Sequence, residues 1–261
     1  MKIFDSQFSH AISAGSPYQD TIIPFSWERD FCEVKEDETI IFTESSYSIS
    51  KQINSNKKIL WVLESPAFIN QSLISDIMLS HDDFYKILTH DDRLMNLPNA
   101  VLFPVGGCWI KPNDAKIYNK TKLASTIASN KTNTHGQNMR HLVTKNKKIS
   151  CYGPSYKPLE YKLEALKDYQ FHICIENYKN NSYFTEKIID CFATGTIPIY
   201  WGCSNISNFF NTRGIIEVDD INEINYVINN IGDFVIDKNA IVDNYMLSQQ
   251  YWLPESRLSV F

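Results

Sequence analysis

Residues 171–202 read FHICIENYKNNSYFTEKIIDCFATGTIPIYWG, and this stretch decides the fold. It opens with an apolar run typical of a buried strand, passes through a polar loop, and resumes at Tyr183 with the periodicity of a helix. Gly195 ends that helix, and a second apolar run, 196–201, follows at once. The order strand, loop, helix, strand indicates the βαβ unit of a parallel sheet.

The start of the predicted helix carries candidate chemistry. Tyr183, Glu186 and Lys187 are three and four residues apart, so we expect them to share one helix face. A lysine in the first turn opposes the helix macrodipole and needs a partner, which an anion held by the free backbone amides would provide. A second interpretation, that Glu186 and Lys187 are solvated surface charges, stays open at this point.

The sequence of residues 175–202 as a whole resembles the signature of the α-1,3/4-fucosyltransferases, glycosyltransferase family ten. Members carry FEN, a short polar gap, Y-[VIF]-TEK, a helix, a small residue and [VI]-P-[VI]-x-x-G. The residues that match in order are Glu176, Asn177, Tyr183, Thr185, Glu186, Lys187, Pro198 and Gly202. The chain departs from the signature at Ile175, where phenylalanine is usual, at Tyr178, where a small polar residue is usual, and at Cys203. None of these departures removes a proposed functional group.

Composition sets the outer bounds. With 261 residues, of which 43% are hydrophobic and 21% charged, the chain is long enough for one large domain or two small ones. A net charge of −5 without a basic stripe argues against nucleic acid as a partner. No stretch approaches the roughly 20 apolar residues that span a bilayer, and residues 1–20 lack the apolar core of a signal peptide. We therefore expect a cytoplasmic protein.

The cysteines indicate reduced thiols and no disulfide framework. Six are scattered along the chain without a CxxC pair: Cys32, Cys108, Cys151, Cys174, Cys191 and Cys203. Cys174 and Cys191 lie inside apolar patterns, and we expect them to be small buried hydrophobic residues.

A second candidate site residue lies upstream, after the continuously apolar strand 58–63. Glu64 follows that strand directly, where open α/β sheets place ligands, and Pro66 fixes the exit of the chain. The alternative is a carboxylate hydrogen-bonded to a neighbouring loop. The phrase WVLESP is similar to one in the first domain of the family, whose glutamate is taken to be the catalytic base. The resemblance therefore implies that role for Glu64.

The resemblance also implies residues that bind the donor. Family members carry Ser-Asn at a strand end and an arginine on the next helix, an order that Ser129, Asn130 and Arg140 match. The planar fork of an arginine holds a diphosphate with two directed bonds, whereas a lysine supplies a point charge. Arg140 as a solvated helix residue is the alternative. His172 would face the nucleotide base, and a histidine of the core or sheet face is its alternative.

Other predicted elements surround these segments. The predicted strands are 2–4, 39–43, 84–89, 99–104, 123–129, 148–152 and 214–218, and the predicted helices are 71–80, 159–169 and 221–231. The Gly106-Gly107 turn would line a cleft. Residues 90–93, His-Asp-Asp-Arg, raise the alternative of a metal site, whereas the resemblance implies a reaction without metal or other cofactor.

Strands alternate with helices in both halves, which indicates two α/β domains facing a cleft. We expect an acceptor-side domain over 1–115, a donor domain over 116–240 and a tail, 241–261, that returns to the first domain. The resemblance implies the same GT-B arrangement of two Rossmann-like domains.

The function implied is an inverting transfer of L-fucose from GDP-β-L-fucose to a hydroxyl of a glycan. Glu64 would take the proton of the acceptor hydroxyl, and Arg140 and Lys187 would stabilise the departing GDP. Glu186 would accept hydrogen bonds from the ribose hydroxyl groups, and Tyr183 and Asn177 would contact the donor sugar or phosphates. Two alternatives are a transferase of the same fold with another donor, such as GDP-mannose, and a non-catalytic module that binds glycans or nucleotides.

Overall fold

Two five-stranded parallel sheets form the protein, as a computed structural model shows. The structure describes residues 1–29, 34–235 and 237–261, so that Cys32 lies outside the described residues. The strand order is β1-β2-β3-β4-β5 in the first sheet and β10-β9-β8-β6-β7 in the second. The prediction of two parallel α/β domains is confirmed.

The first half contains the strands β1 (Lys2–Phe4), β2 (Thr39–Thr43), β3 (Lys57–Trp61), β4 (Lys86–Thr89) and β5 (Ala100–Leu102), with helices α1 (Tyr47–Ser50) and α2 (Gln71–Leu79). The second half contains the strands β6 (Lys122–Ile127), β7 (Ser150–Tyr152), β8 (Tyr169–Asn180), β9 (Ile197–Cys203) and β10 (Ile216–Glu217), with helices α3 (His135–Val143), α4 (Glu186–Ala193) and α5 (Ile221–Asn229). The chain ends in α6 (Lys238–Ser248) and α7 (Pro254–Leu258).

The continuous apolar runs of the central strands follow from burial on both faces of each sheet. Along β3, Ile59 and Trp61 pack into one core cluster, whereas Leu60 packs into another on the opposite face. Along β8, Ile173 and Cys174 likewise enter different clusters. Cys174 and Cys191 are both buried, as predicted.

The connection from β8 to α4 differs from the prediction. β8 continues to Asn180, through part of the predicted polar loop, and α4 begins at Glu186 instead of Tyr183. The Asn180 side chain accepts hydrogen bonds from the backbone N–H groups of Ser182 (3.1 Å) and Tyr183 (2.6 Å), which turns the chain before the helix. Tyr183 therefore lies outside the helix, and the prediction that it shares a helix face with Glu186 was wrong.

The helix predicted over 159–169 was also wrong, because only a 3₁₀ turn, Lys162–Ala165, forms there. Polar contacts fix this segment in a single turn. The Tyr161 hydroxyl donates to the Asp114 carboxylate (3.1 Å) and accepts from the backbone N–H of Lys111 (2.7 Å), while Glu164 accepts from the Tyr161 N–H (3.1 Å). These side-chain bonds compete with a regular helix.

The end of the chain packs against the first sheet. The buried Glu255 accepts hydrogen bonds from Ser13 Oγ (2.8 Å) and the backbone N–H of Ala14 (2.7 Å). Arg257 donates to the carbonyl oxygen of Pro104 at 2.6 Å. The domain boundaries themselves, at residues 115 and 240, remain predictions.

Candidate functional site

A cleft of about 630 Å³ lies between the two sheets. One side, here called the first wall, includes Gln7, Phe8, Glu64, Gly106 and Trp109. The other side, here called the second wall, includes Ser129, Arg140, Asn177, Tyr183, Glu186 and Lys187. All the predicted site residues except Asn130 and His172 line this cleft.

Glu176 is fully buried behind the second wall and organises it. Its carboxylate accepts from the backbone N–H and the hydroxyl of Thr185, both at 2.8 Å, and from Lys187 Nζ at 3.1 Å. A Cβ atom on Gly136 would lie 1.8 Å from the Glu176 carbonyl oxygen, and one on Gly202 would lie 2.6 Å from its Cγ. These glycines let α3 and β9 approach Glu176. The motif included Glu176 without a role, although an acid inside a buried strand must be paired.

Lys187 has an internal anionic partner. The sequence predicted that a lysine in the first turn of a helix needs one, and the Glu176 carboxylate supplies it. Lys187 Nζ also contacts the Thr185 hydroxyl oxygen at 2.8 Å. Burial disfavours the ammonium, but Glu176 and Glu186 outweigh burial and raise the pKa of Lys187. Lys187 is therefore a fixed cation in the cleft.

Glu186 is held by a cation that the sequence analysis missed. Lys162 Nζ lies 3.2 Å from Glu186 Oε1, 2.9 Å from Asp190 Oδ2 and 4.1 Å from the centre of the Trp109 ring. Burial would raise the pKa of Glu186, but Lys162 and Lys187 outweigh burial and lower it, so this carboxylate is ionised. The acidic residue at position 190, inside an apolar helix, could have indicated that a cation lies nearby. Nothing in the sequence identified Lys162 as that cation, because its segment was predicted as a helix.

Arg140 lies on α3 and is 8% exposed. One of its terminal nitrogens donates to Asn177 Oδ1 at 2.5 Å, while its buried Nε has no partner among the described residues. Burial lowers the pKa of Arg140, and the nearby carboxylates of Glu176 and Glu186 oppose this. A buried donor without a partner, at the wall of a cleft, suits an anionic ligand.

The remaining predicted residues lie at or beyond the edge of the cleft. Ser129 lines both the cleft and an adjoining pocket of about 150 Å³. His172 lines that pocket beside Arg140, and its Nδ1 lies 2.8 Å from Ser125 Oγ. Burial lowers the pKa of His172 to about 3, so the ring is neutral. Asn130 is exposed and accepts a hydrogen bond from the Ser155 hydroxyl at 2.6 Å, outside both cavities.

Glu64 carries the carboxylate of the first wall. It follows β3 and is half-buried, and its Oε1 accepts from the backbone N–H of Ser65 at 2.6 Å. Its own backbone N–H donates to Oε1 of Glu44 at 2.9 Å. Glu44 is buried, and the sequence analysis did not identify it.

The two walls meet at aromatic and backbone contacts. The rings of Tyr183 and His90 are 5.1 Å apart, and burial lowers the pKa of His90 to about 4, so that its ring is neutral. The backbone N–H of Gly106, at a φ of 68°, donates to the Phe184 carbonyl oxygen at 3.3 Å. Gly106 therefore lines the cleft, as predicted, in a conformation that favours glycine.

The described residues include no group of three or more His, Cys, Asp or Glu side chains placed to hold a metal ion. In the predicted alternative at residues 90–93, Asp91 instead pairs with Arg93 at 2.6 Å. Within the same described ranges, no helix is long and apolar enough to cross a membrane.

The chain is similar in sequence and in fold to proteins of one family. The sequence model of the C-terminal part of glycosyltransferase family 10 (fucosyltransferase) matches residues 117–253. An alpha-(1,3)-fucosyltransferase of Helicobacter pylori is 39% identical over 82 residues, which is 31% of this chain. The matched segment is only 17% of that relative's length.

Solved structures show the same fold. A crystal structure of an α1,3-fucosyltransferase with GDP superposes with a TM-score of 0.55 at 20% identity, covering 90% of this chain and 78% of the other. A second, with GDP-fucose, gives a TM-score of 0.53 at 17% identity and covers 87% and 80%. The likeness confirms the predicted GT-B arrangement of two domains.

Proposed function

The chain belongs to glycosyltransferase family 10, the fucosyltransferase family, and on that premise we propose that it transfers L-fucose from GDP-β-L-fucose to a hydroxyl of a glycan. Support comes from one observation above all: two cations, the buried Arg140 and the half-buried Lys187, line the same cleft as the Glu64 carboxylate. Neighbouring structures were solved with GDP and with GDP-fucose, which supports the choice of donor.

The second wall is the donor site in this proposal. Arg140 has a buried Nε without a partner among the described residues, and Lys187 is a fixed ammonium, so together they suit a diphosphate. Glu186 is ionised and accepts hydrogen bonds from the ribose hydroxyl groups. Asn177 and Tyr183 contact the phosphates or the sugar. His172, being neutral, lies toward the nucleotide base from the adjoining pocket.

The reaction is a single displacement with inversion. Glu64 takes the proton of the acceptor hydroxyl as its oxygen bonds to the anomeric carbon of fucose. The bond from that carbon to the β-phosphate oxygen breaks, and GDP leaves with the electron pair. Arg140 and Lys187 stabilise the charge that grows on the leaving group. Because these side chains supply the positive charge that balances the departing GDP, we propose that the reaction needs no metal ion.

Turnover with a panel of donors tests this function. We expect fucose transfer from GDP-fucose to one or more glycan acceptors, undiminished by EDTA. Transfer from GDP-mannose but not from GDP-fucose would show that the donor is GDP-mannose, with the reaction class unchanged. GDP binding without turnover of any donor would indicate a binding module and contradict the proposal.

A further inference from the structure

A buried carboxylate, Glu44, lies directly behind the turn that carries Glu64. Glu44 follows β2, the strand paired with β3, and is 5% exposed. Its Oε2 accepts from the backbone N–H of Leu63 at 2.8 Å, and its Oε1 accepts from the backbone N–H of Glu64 at 2.9 Å. The side-chain amide of Gln7 donates to the same Oε1 at 2.5 Å. Both carboxylate oxygens are thus engaged.

This arrangement fixes the direction in which Glu64 leaves the sheet. Two successive N–H groups bound by one carboxylate hold two peptide planes, including the peptide that leads into Glu64. Hydrogen bonds to an ionised acceptor are about twice as strong as neutral ones. Burying a carboxylate is costly, and burial raises the pKa of Glu44 to about 7 although these backbone bonds oppose the shift. An uncharged amide would cost less to bury at this place, but it offers one acceptor oxygen, whereas the two N–H groups bond to two different oxygens of Glu44.

We propose that Glu44 is a positioning residue for Glu64: it orients the peptide that carries the base so that the Glu64 carboxylate meets the acceptor hydroxyl. This inference rests on the proposed function, since it takes Glu64 as the base. Glu44 itself touches no substrate, because Glu44 is not among the residues that line the cleft.

Two kinetic effects distinguish a positioning residue from a residue that only stabilises the fold. Removal of the carboxylate lowers kcat and leaves the KM for GDP-fucose unchanged, because the second wall binds the donor. Turnover also follows the titration of Glu44, since a protonated carboxyl accepts more weakly from the two N–H groups than the carboxylate does. Glu64 is the charged group that bears on Glu44 from the turn after β3, while Gln7, from the N-terminal segment, is neutral.

The test compares Glu44→Gln with the wild type in GDP-fucose turnover and GDP calorimetry. We expect kcat to fall by about 100-fold, the cost of misplacing a reacting group by roughly 1 Å, with GDP affinity retained. The acid limb of kcat near pH 7 should disappear in this variant. The kcat of Glu44→Asp, whose side chain is one methylene shorter, should lie between those of the wild type and Glu44→Gln.

The matched control is Asp91→Asn. Asp91 is also buried, lies two residues after the end of β4, and accepts from the backbone N–H of Arg93 at 3.0 Å, but it does not line the cleft. We expect this variant to lose stability and keep kcat. If Glu44→Gln does not fold, Glu44→Asp takes its place, because it keeps the charge, withdraws the carboxylate from the two N–H groups and should lower kcat by less.

The outcomes separate this inference from the proposed function. Absence of turnover in the wild type with any donor overturns the proposed function and this inference with it. Turnover in the wild type with undiminished kcat in Glu44→Gln, or in Glu44→Asp where Glu44→Gln does not fold, overturns the inference alone. An equal loss of kcat in Asp91→Asn also overturns it, because any buried carboxylate would then have the same effect.

Discussion

The two walls of the cleft hold their charges in opposite ways. On the second wall, Lys187 pairs with Glu176 at 3.1 Å and Glu186 pairs with Lys162 at 3.2 Å. On the first wall, the half-buried Glu64 carboxylate accepts a backbone N–H bond from Ser65 and forms no ion pair among the described residues. Charges fixed by a partner are suited to binding an ionic ligand, whereas a carboxylate without a cation is available to accept a proton.

The largest effect on activity should come from the first wall. Replacing Glu64 with Gln removes the proton acceptor and leaves its shape, so kcat should fall by about 10²- to 10⁴-fold. The measurement is fucose transfer at saturating donor. If Glu64→Gln retained more than a tenth of kcat, another group would be accepting the proton, and the role given to the first wall would be wrong.

The next effect concerns the stability of the second wall. Lys187→Met leaves the carboxylate of Glu176 buried without its cation, which should lower the free energy of unfolding by about 3–5 kcal/mol and weaken GDP binding. Urea denaturation and GDP calorimetry measure the two effects. The double variant Glu176→Gln/Lys187→Met should recover stability but not GDP affinity. If the double variant recovers both, Lys187 serves only to neutralise Glu176.

A smaller effect tests how closely α3 approaches Glu176. Gly136→Ala would place a Cβ atom 1.8 Å from the Glu176 carbonyl oxygen, so α3 must move away. We expect a loss of about 1–3 kcal/mol in the free energy of unfolding. Gly232→Ala is the matched control, because a Cβ atom there meets nothing within 4 Å. Equal melting temperatures for the two variants would contradict the close seating of α3.

The last effect is a dependence of stability on pH that originates behind the first wall, at Glu44. The pKa of Glu44 is raised from 4.5 to about 7 in the folded protein. The folded state therefore binds this proton more tightly, and the resulting stabilisation, complete below the unfolded value, is lost as pH rises through the folded value.

Relative to Glu44→Gln, the wild type should lose stability as pH rises from about 5 to about 8. Urea denaturation of both proteins across this range measures the difference, in which titrations elsewhere cancel. A constant difference between the two would show that Glu44 does not titrate there.

The sequence predicted the strands better than the side chains that assemble the site. Apolar runs such as 58–63 and 171–175 indicate buried parallel strands, because burial on both faces selects for them. The start of α4 was misplaced because the hydrogen bonds of the Asn180 side chain are invisible to hydrophobic periodicity.

The residues that the sequence analysis missed act through tertiary contacts. Lys162 reaches Glu186 across 24 positions of the chain, and Glu44 reaches the N–H of Glu64 across 20. Neither side chain belongs to a motif, and the contact of Glu44 follows only once β2 is known to pair with β3. The motif supplied Glu64, Arg140, Glu186 and Lys187, whose chemistry is carried by residue type and order.

Calorimetric titration of GDP into three proteins tests the division between the walls most directly. The wild type and Glu64→Gln should bind GDP with the same affinity, without metal, whereas Arg140→Met should bind it at least 10-fold more weakly, since a charged hydrogen bond contributes about 1.5–3 kcal/mol. Equal loss of affinity in Glu64→Gln and Arg140→Met would contradict the account, because both walls would then hold the nucleotide.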